Sequence, residues 1–241
     1  LEIMRLAVIP ARGGSKRIPR KNIKNFFGKP MIAWSIQQAV KSGAFDRIIV
    51  STDDAEIAQI SKTWGAEIPF MRPKELSDDF TGTTSVIAHA INWFIQEGYN
   101  PLEVCCIYAT APLIQVEYIL KGLGALRRHK ADFSFSVTPY AFPIQRAIKL
   151  CEKGRVEMMD QTQFQRRSQD LTETYHDAGQ FYWGSSKAWQ SGKPIFGKHS
   201  VPIIIPRYLV QDIDTHEDWM QAELMFNALN SIKLYIIEND K

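Results

Sequence analysis

Residues 5–22 read RLAVIPARGGSKRIPRKN, an apolar run that passes directly into a loop rich in cations. The run 5–9 is short, contains β-branched residues and ends at Pro10, which is typical of a buried strand. Pro30 then begins a helix with apolar residues at helical spacing, and Gly43 ends it. This order of strand, loop and helix predicts an open α/β sheet, in which ligands bind beyond the carboxyl ends of the strands.

Strands and helices continue to alternate along most of the chain. The further predicted strands cover residues 48–51, 104–108, 133–137, 180–183 and 201–205, and the further predicted helices cover residues 53–65, 116–128 and 215–229. This alternation requires right-handed crossovers between parallel strands. We therefore predict one three-layer, Rossmann-like α/β domain over residues 1–241, with a mostly parallel sheet.

The α/β pattern is interrupted between about residues 139 and 179. Short β-like stretches at 147–150 and 156–158 alternate there with a polar segment at 160–170, which indicates an inserted β arm rather than a second domain. Apolar residues near the start of the arm, among them Tyr140 and Phe142, suit a subunit interface or a core equally well.

The composition excludes several classes of protein. The chain has 241 residues, of which 45% are hydrophobic, and no apolar run approaches the roughly 18 residues that cross a bilayer. Three cysteines are present, and the adjacent pair Cys105 and Cys106 matches neither a disulfide framework nor a zinc site. Nothing near the first residues has the pattern of a signal peptide. We therefore expect a cytoplasmic protein without a membrane partner.

The positive charge is concentrated in one segment. Residues 12–29 hold seven cations and no acid, so the rest of the chain carries a net charge of −4 although the whole carries +3. A local positive patch suits a small polyanion better than a long nucleic acid, so we expect no nucleic-acid partner.

The basic loop has the composition of a phosphate site. Gly13 and Gly14 can adopt positive φ angles and let backbone N–H groups approach phosphate oxygens closely. Arg12 and Lys21 are then placed to neutralise the phosphates. The Gly-Lys-Ser/Thr of a Walker loop is missing. The alternative is a basic loop that is merely solvated.

A second motif, Asp212-Ile213-Asp214, follows a strand-like run near the end of the chain. Residues i and i+2 of a strand share a face, so Asp212 and Asp214 are expected to point at one site. Carboxylates of this kind suit Mg²⁺, which we expect as the cofactor. The alternative is that Asp214 or Thr215 caps the last helix.

Together these motifs resemble the CMP-sialic acid synthetase family, and the resemblance runs through most of the chain. It is carried by five stretches in the same order: residues 8–22, STDD at 51–54, RPKEL at 72–76, YATAPL at 108–113 and DID at 212–214. The resemblance implies a nucleotidyltransferase domain of the predicted fold. It also implies a homodimer in which the arm of one subunit completes the active site of the other.

The resemblance implies roles for individual residues. The nucleotide-binding set is Ala11, Arg12, Gly13, Lys21, Asn22, Arg72 and Thr83, and the catalytic set is Arg12, Lys21, Asp212 and Asp214. Arg12 and Lys21 are expected to hold the phosphates of CTP, and Asn22 and Arg72 to contact the cytosine. Without the resemblance, Arg72 is better explained by a surface ion pair with Glu75 or Asp78, and Asn22 by a turn.

The implied reaction transfers CMP from CTP to the anomeric hydroxyl of an acidic nine-carbon sugar, with release of pyrophosphate, and serves glycan or flagellin glycosylation. The implied sugar site comprises Tyr108, Thr110, Arg166, Arg167, Tyr175, Asp177 and Gln180. Arg166 and Arg167 are otherwise a solvated surface pair. Tyr108 replaces a glutamine of the sialic acid enzymes, and Asp177-Ala178-Gly179 replaces their Asn-Gly. The expected sugar is therefore pseudaminic acid, with N-acetylneuraminic acid, legionaminic acid and 3-deoxy-manno-octulosonate as alternatives.

Two other functions remain open from the sequence. A nucleotidyltransferase that uses UTP or ATP has no need of the cytosine contacts of Asn22 and Arg72. A nucleotide-binding regulatory or RNA-binding protein has no need of Asp212 and Asp214, and RNA binding favours exposed aromatic residues among the cations.

Overall fold

A computed structural model describes residues 2–239 along the backbone and the side chains of residues 4–231. The strands are β1 (Glu2–Pro10), β2 (Asn25–Phe26), β3 (Lys29–Pro30), β4 (Arg47–Ser51), β5 (Tyr99–Ile107), β6 (Phe133–Pro139), β7 (Ile148–Leu150), β8 (Val156–Met158), β9 (Tyr175–Ser185) and β10 (Ser200–Ile204). The helices are α1 (Met31–Ser42), α2 (Ala55–Thr63), α3 (Thr83–Gln96), α4 (Val116–Arg128), α5 (Ser186–Gln190) and α6 (His216–Asn239).

The central sheet has six strands in the order β10-β6-β9-β5-β1-β4. β1 pairs in parallel with β4 and β5, and β10 pairs in parallel with β6. β9 runs antiparallel to both of its neighbours, β5 and β6. The sheet is therefore mostly parallel, as predicted, with a single reversed strand where the arm returns to the domain.

Helices cover both faces of the sheet, which confirms the three layers. α1, α2 and α4 contribute to the buried cluster on one face, and α3 and α5 contribute to the cluster on the other. Cys105 and Cys106 divide between these clusters because successive strand residues point to opposite faces. Burial raises the pKa of both thiols, so they act as core residues and not as nucleophiles.

Local signals explain several element boundaries. Gly43 ends α1 in the left-handed conformation at φ 59°, and its N–H donates to the Val40 carbonyl. Asp54 caps α2 by accepting from the Ile57 N–H at 2.9 Å. α4 has the predicted bounds. α3 is absent from the predicted elements, and it lies beside the site described below.

The segment predicted as an inserted arm contains the antiparallel hairpin of β7 and β8. It carries exposed apolar side chains along its length, namely Tyr140, Phe142, Ile144, Ile148, Leu150, Val156, Met159 and Phe164. These residues are therefore not part of the core of their own domain. The use of the arm in dimerisation stays a prediction.

A third buried cluster joins the basic loop to the final helix. It combines Ile18 of the loop and Phe26 of β2 with Ile213, Trp219 and Phe226 around the start of α6. The apolar run 234–237 has its side chains outside the described residues. Between residues 2 and 239, no helix has both the length and the apolar character that crossing a bilayer requires.

Candidate active site

A cleft of about 400 Å³ opens beyond the carboxyl ends of β1 and β5, where the sheet topology predicts a ligand site. It brings together eight of the predicted site residues: Arg12, Lys21, Asn22, Arg72, Thr83, Tyr108, Thr110 and Asp214. Lys16, Arg17 and Thr81 also line it. Segments that are up to 200 residues apart in the chain therefore share one concave, strongly charged surface.

Gly13 is held close to α2 rather than in a left-handed conformation. Neither Gly13 nor Gly14 takes a positive φ angle, so the loop does not use the conformational freedom that these glycines offer. The Gly13 N–H donates to Asp53 Oδ1 at 3.0 Å. A Cβ atom on Gly13 would lie 2.7 Å from Asp54 Oδ2, whereas one on Gly14 would meet nothing within 4 Å. Gly13 is thus required by a close approach to α2.

The far end of the loop is tied to the same helix by Arg20. Arg20 has a φ of 57°, and its guanidinium donates to both oxygens of Asp54, at 2.5 and 3.0 Å. These hydrogen bonds from Arg20 lower the pKa of Asp54 to about 2, so the pair stays charged near neutral pH. The 3-10 turn Lys21–Ile23 follows directly and places Lys21 in the cleft.

Ala11 and Asn22 stabilise the loop through their own contacts. Ala11 is buried, and its N–H donates to the Ser51 carbonyl at 2.9 Å. The Asn22 side chain is also buried, and its Nδ2 donates to the Arg12 carbonyl at 3.0 Å. Asn22 thus connects the two ends of the loop, in addition to lining the cleft.

Acids neutralise the cations of the cleft in two groups. Asp79 accepts hydrogen bonds from Arg12 and Lys16, one on each carboxylate oxygen. Asp214 lies 3.0 Å from Arg17 NH2 and 3.3 Å from Lys21 Nζ. A polyanionic ligand that binds these cations therefore displaces two carboxylates, those of Asp79 and Asp214.

Arg72 is a buried residue and not a surface ion-pair partner of Glu75 or Asp78. Only 6% of it is exposed. Its Nε donates to Ser51 Oγ at 3.1 Å, and its NH2 donates to the Ser51 carbonyl. Burial lowers the pKa of Arg72 to about 10, which leaves the guanidinium charged at neutral pH. The cleft thus has a fixed cation at the end of β4.

The two aspartates near the end of the chain lie in a loop, not in a strand as predicted. Ile213 between them is fully buried under α6, which directs the flanking side chains away from that core. Thr215 caps α6, since its Oγ1 accepts from the Asp218 N–H at 3.2 Å and its own N–H donates to Asp218 at 2.7 Å. Asp214 is therefore not needed as the cap.

Asp212 and Asp214 differ in their electrostatic surroundings. Partial burial, and then the neighbouring charge of Asp214, raise the pKa of Asp212, although the residue as a whole is exposed. In the described part of the chain, Asp214 has ion-pair partners and Asp212 has none. Repulsion between two neighbouring carboxylates is relieved by a bound divalent cation.

Aromatic side chains form one wall of the site. The Tyr108 hydroxyl lies 3.3 Å from Thr83 Oγ1 at the start of α3, and burial raises the pKa of Tyr108. Its ring centroid is 5.2 Å from that of Tyr182, whose hydroxyl donates to Asp177 Oδ2 at 2.5 Å. Asp177 thus contacts this wall through its hydrogen bond with Tyr182.

Gln180 lies on β9 and is buried. Its Nε2 donates to the Leu209 carbonyl at 2.5 Å, and its Oε1 has no hydrogen-bond partner within the described residues. It does not line the cleft of the single chain.

Three predicted sugar residues lie on the arm. Arg167 forms two hydrogen bonds with Asp170, at 2.7 and 3.1 Å. Arg166 donates to the Asp170 carbonyl at 3.0 Å, and the Tyr175 hydroxyl donates to Glu173 at 2.7 Å. The cleft lining of the single chain does not include them, and their role in sugar binding stays a prediction.

The predicted set omits Lys16, Arg17 and Thr81, which line the cleft. It also omits Asp79, Arg20 and Tyr182. Each of these last three acts through a partner that is distant in the chain. Asp79 contacts Arg12, Arg20 contacts Asp54, and Tyr182 contacts Tyr108. Spacing within a segment carries no signal for such contacts.

A three-layer α/β fold with a basic phosphate loop and Asp214 at one cleft, and with Asp212 close to it in the chain but outside the cleft lining, is typical of a nucleotidyltransferase. The sequence profile of the Cytidylyltransferase family matches residues 6–224, and the chain belongs to this family.

Two curated relatives and one solved structure agree with this placement. The chain is 46% identical over 223 residues to the pseudaminic acid cytidylyltransferase of Campylobacter jejuni, covering 92% of this chain and 96% of the relative. It is 34% identical over 209 residues to a Helicobacter pylori protein named as that enzyme and a UDP-sugar hydrolase, covering 86% of this chain and 40% of the relative. The structure of CMP:2-keto-3-deoxy-manno-octonic acid synthetase with CTP aligns at a TM-score of 0.67 and 15% identity, over 95% of this chain and 99% of that one. The structural likeness confirms the fold.

Proposed function

We propose that this protein transfers CMP from CTP to the anomeric hydroxyl of pseudaminic acid and releases pyrophosphate. The observation that carries the proposal is the convergence of the Arg12 loop, buried Arg72 and Asp214 on one cleft, in a chain of the cytidylyltransferase family. The identity of 46% to the Campylobacter jejuni enzyme supports the choice of sugar.

The nucleotide occupies the cleft with its phosphates on the basic loop. Arg12 and Lys21 neutralise the phosphates, and Arg72 and Asn22 face the cytosine. Arg72 suits base recognition because its hydrogen bonds to Ser51 fix the guanidinium, so little conformational freedom is lost on binding. The regulatory-protein alternative gives no reason for an acidic pair beside the phosphate loop.

Magnesium fits Asp212 and Asp214. In the part of the chain that the structure describes, no cluster of three or more His, Cys, Asp or Glu side chains is arranged to hold a metal. Two carboxylates completed by water and substrate phosphates are, however, the usual protein environment of Mg²⁺. Burial and then the charge of Asp214 raise the pKa of Asp212, and a divalent cation bound by both carboxylates would relieve their repulsion. When bound, the ion supplies charge neutralisation at the α-phosphate and lowers the pKa of the attacking hydroxyl.

The chain itself contributes positioning and charge. The anomeric oxygen bonds to the α-phosphorus and gives up its proton to solvent water, while the bond from that phosphorus to the β-phosphate oxygen breaks and pyrophosphate departs. Arg12 and Lys21 stabilise the negative charge of the leaving group. Lys21 suits this role because its hydrogen bond to the Ile213 carbonyl fixes it next to Asp214. No residue is assigned as the general base.

The sugar lies on the aromatic side of the cleft, against Tyr108 and Thr110. The carboxylate of the sugar requires a cation, and Arg166 and Arg167 supply one when the arm of a second subunit covers the cleft. The apolar side chains of the arm, Phe142, Leu150 and Phe164 among them, favour such a homodimer. The protein has three free cysteines, which suits a location in the reducing cytoplasm.

The proposal is tested by measuring pyrophosphate release with Mg²⁺ and a panel of substrates. CTP, UTP and ATP are each paired with pseudaminic, N-acetylneuraminic and legionaminic acid and with 3-deoxy-manno-octulosonate. Release confined to CTP and pseudaminic acid supports the whole proposal. Release with CTP and another sugar keeps the mechanism and changes the substrate, and no release with any pair favours a regulatory protein.

A further inference from the structure

We infer that Asp79 is an internal competitor of the CTP phosphates, which holds Arg12 and Lys16 until a polyphosphate displaces it and so sets the affinity of the cleft for CTP and pyrophosphate. The inference rests on the proposed function for the identity of the nucleotide. It assigns a role to a residue that belongs to neither the nucleotide-binding nor the metal-binding set.

The contacts of Asp79 imitate those of a phosphate. One carboxylate oxygen accepts from Arg12 NH1 and the other from Lys16 Nζ, as two oxygens of a phosphate group would. Arg12 and Lys16 both line the cleft. A triphosphate that binds Arg12 through the same face of the guanidinium must displace Asp79, because the two anions repel each other and require the same donors.

The loop that carries Asp79 is built to let it leave. The described side chains give Asp79 no partner other than Arg12 and Lys16. The turn is held instead by Asp78, whose Oδ1 accepts from the N–H groups of Phe80 and Thr81 at 3.0 and 2.6 Å. Phe80 at the tip is 94% exposed. Loss of the Asp79 contacts therefore breaks no turn and uncovers no core.

Asp79 remains a competitor throughout the neutral range. Hydrogen bonds from Lys16 and Arg12 lower its pKa, so the carboxylate is ionised whenever the enzyme works. After the transfer, the same carboxylate can take Arg12 and Lys16 back as pyrophosphate leaves. Competition of this kind weakens substrate and product equally if both bind these two cations, and it favours turnover where release of pyrophosphate is slow.

The test compares Asp79→Asn with Asp78→Asn by isothermal titration calorimetry, with CTP and Mg²⁺ and separately with pyrophosphate. Asp78→Asn removes one negative charge from the same loop and keeps a side-chain oxygen for the turn. We expect Asp79→Asn to bind both ligands about three- to tenfold more tightly, and Asp78→Asn to stay within about twofold of the unmodified protein. The gain should shrink in high salt, since the competing contacts are exposed.

Equal or weaker binding by Asp79→Asn contradicts the inference, and so does an equal gain in Asp78→Asn, which would indicate a general effect of charge. Asp79→Ser repeats the comparison if the asparagine variant does not fold. Failure of the unmodified protein to bind CTP counts against the proposed function instead. The titration with pyrophosphate then still decides whether Asp79 competes for Arg12 and Lys16.

Discussion

The ammonium group of Lys21 lies 3.3 Å from Oδ1 of Asp214, although 193 residues separate them in the chain. The same ammonium donates to the carbonyl of Ile213. These contacts join the phosphate loop that follows β1 to the acidic loop that precedes α6. The groups proposed to hold the phosphates and the metal therefore form one charged unit, and a change on either side should affect both.

Replacing Lys21 with methionine should lower kcat/KM by about 100-fold or more, because a fixed cation is lost where the leaving group gains charge. Lys24→Met is the matched control, since Lys24 lies over the ring of Trp219, 4.5 Å from its centroid, and does not line the cleft. Steady-state kinetics with CTP decide the matter. A Lys21→Met enzyme within about threefold of the unmodified one removes Lys21 from the phosphate site.

Asp212→Asn should abolish turnover and slightly stabilise the fold. The pKa of Asp212 is raised in the folded protein, so its ionised form costs stability above the folded pKa. This cost declines as the pH falls below that value and is gone below the unfolded pKa. The side chain reaches solvent, so a rise in Tm of only about 1–2 °C is expected at neutral pH. Calorimetry and a turnover assay on the same preparation measure both effects. Turnover at the normal rate excludes Asp212 as a metal ligand.

The raised pKa of Asp212 also predicts the acid limb of the pH–rate profile. Only the ionised carboxylate binds a cation, so activity should fall at a higher pH than the value of about 4 expected for an ordinary aspartate. Raising the Mg²⁺ concentration should move this limb to lower pH, because the metal competes with the proton. A limb that does not respond to Mg²⁺ contradicts the assignment.

Gly13→Ala should destabilise the protein by about 1–3 kcal/mol and weaken CTP binding, because the new Cβ collides with Asp54. Gly14→Ala is the matched control for stability, since a Cβ there meets nothing within 4 Å. Thermal unfolding of the two variants gives the comparison. Equal Tm values would show that the loop does not depend on its close approach to α2.

Arg72→Met should raise KM for CTP and reduce the preference for CTP over UTP. It should also cost about 1–3 kcal/mol of stability, because buried Ser51 Oγ loses its donor and the Ser51 carbonyl keeps only the hydrogen bond from Ala11. Lys74→Met, an exposed change two residues away, should alter neither quantity. An unchanged ratio of CTP to UTP turnover excludes Arg72 from base recognition.

The arm should determine the oligomeric state. Leu150→Glu combined with Phe164→Glu places two charges on its exposed apolar surface and should convert a dimer into a monomer with little activity. Met220→Glu, an exposed change on α6, should leave the dimer intact. Light scattering coupled to gel filtration measures the mass. An unmodified protein that is a monomer and fully active contradicts the role of the arm.

Elements with a local signal were predictable from the sequence. The strand before the basic loop, α1 with Gly43 at its end, α4 and the hairpin of the arm all follow from periodicity and turn residues. α3 also has apolar residues at helical spacing, Val86, Ala90 and Phe94 among them. Its first turn, however, consists of threonine, serine and valine, which favour strands or turns as much as helices.

The remaining features depend on contacts between distant segments. The antiparallel direction of β9 is set by its pairing with β5 and β6. No pattern in the sequence of the strand indicates this direction. Asp212 and Asp214 take their positions from the burial of Ile213 and the cap at Thr215, although their alternation imitates a strand. The hydrogen bond from Arg12 to Asp79 joins residues that are 67 positions apart, and no pattern in either segment predicts it.

The most direct test of the proposed reaction is phosphorus NMR of the protein incubated with CTP, Mg²⁺ and pseudaminic acid. The proposal predicts that the three CTP signals are replaced by pyrophosphate and by one phosphodiester signal of a CMP-sugar, and that Asp212→Asn leaves CTP intact. Unchanged CTP, or conversion to free CMP without a phosphodiester signal, would contradict the proposed transfer.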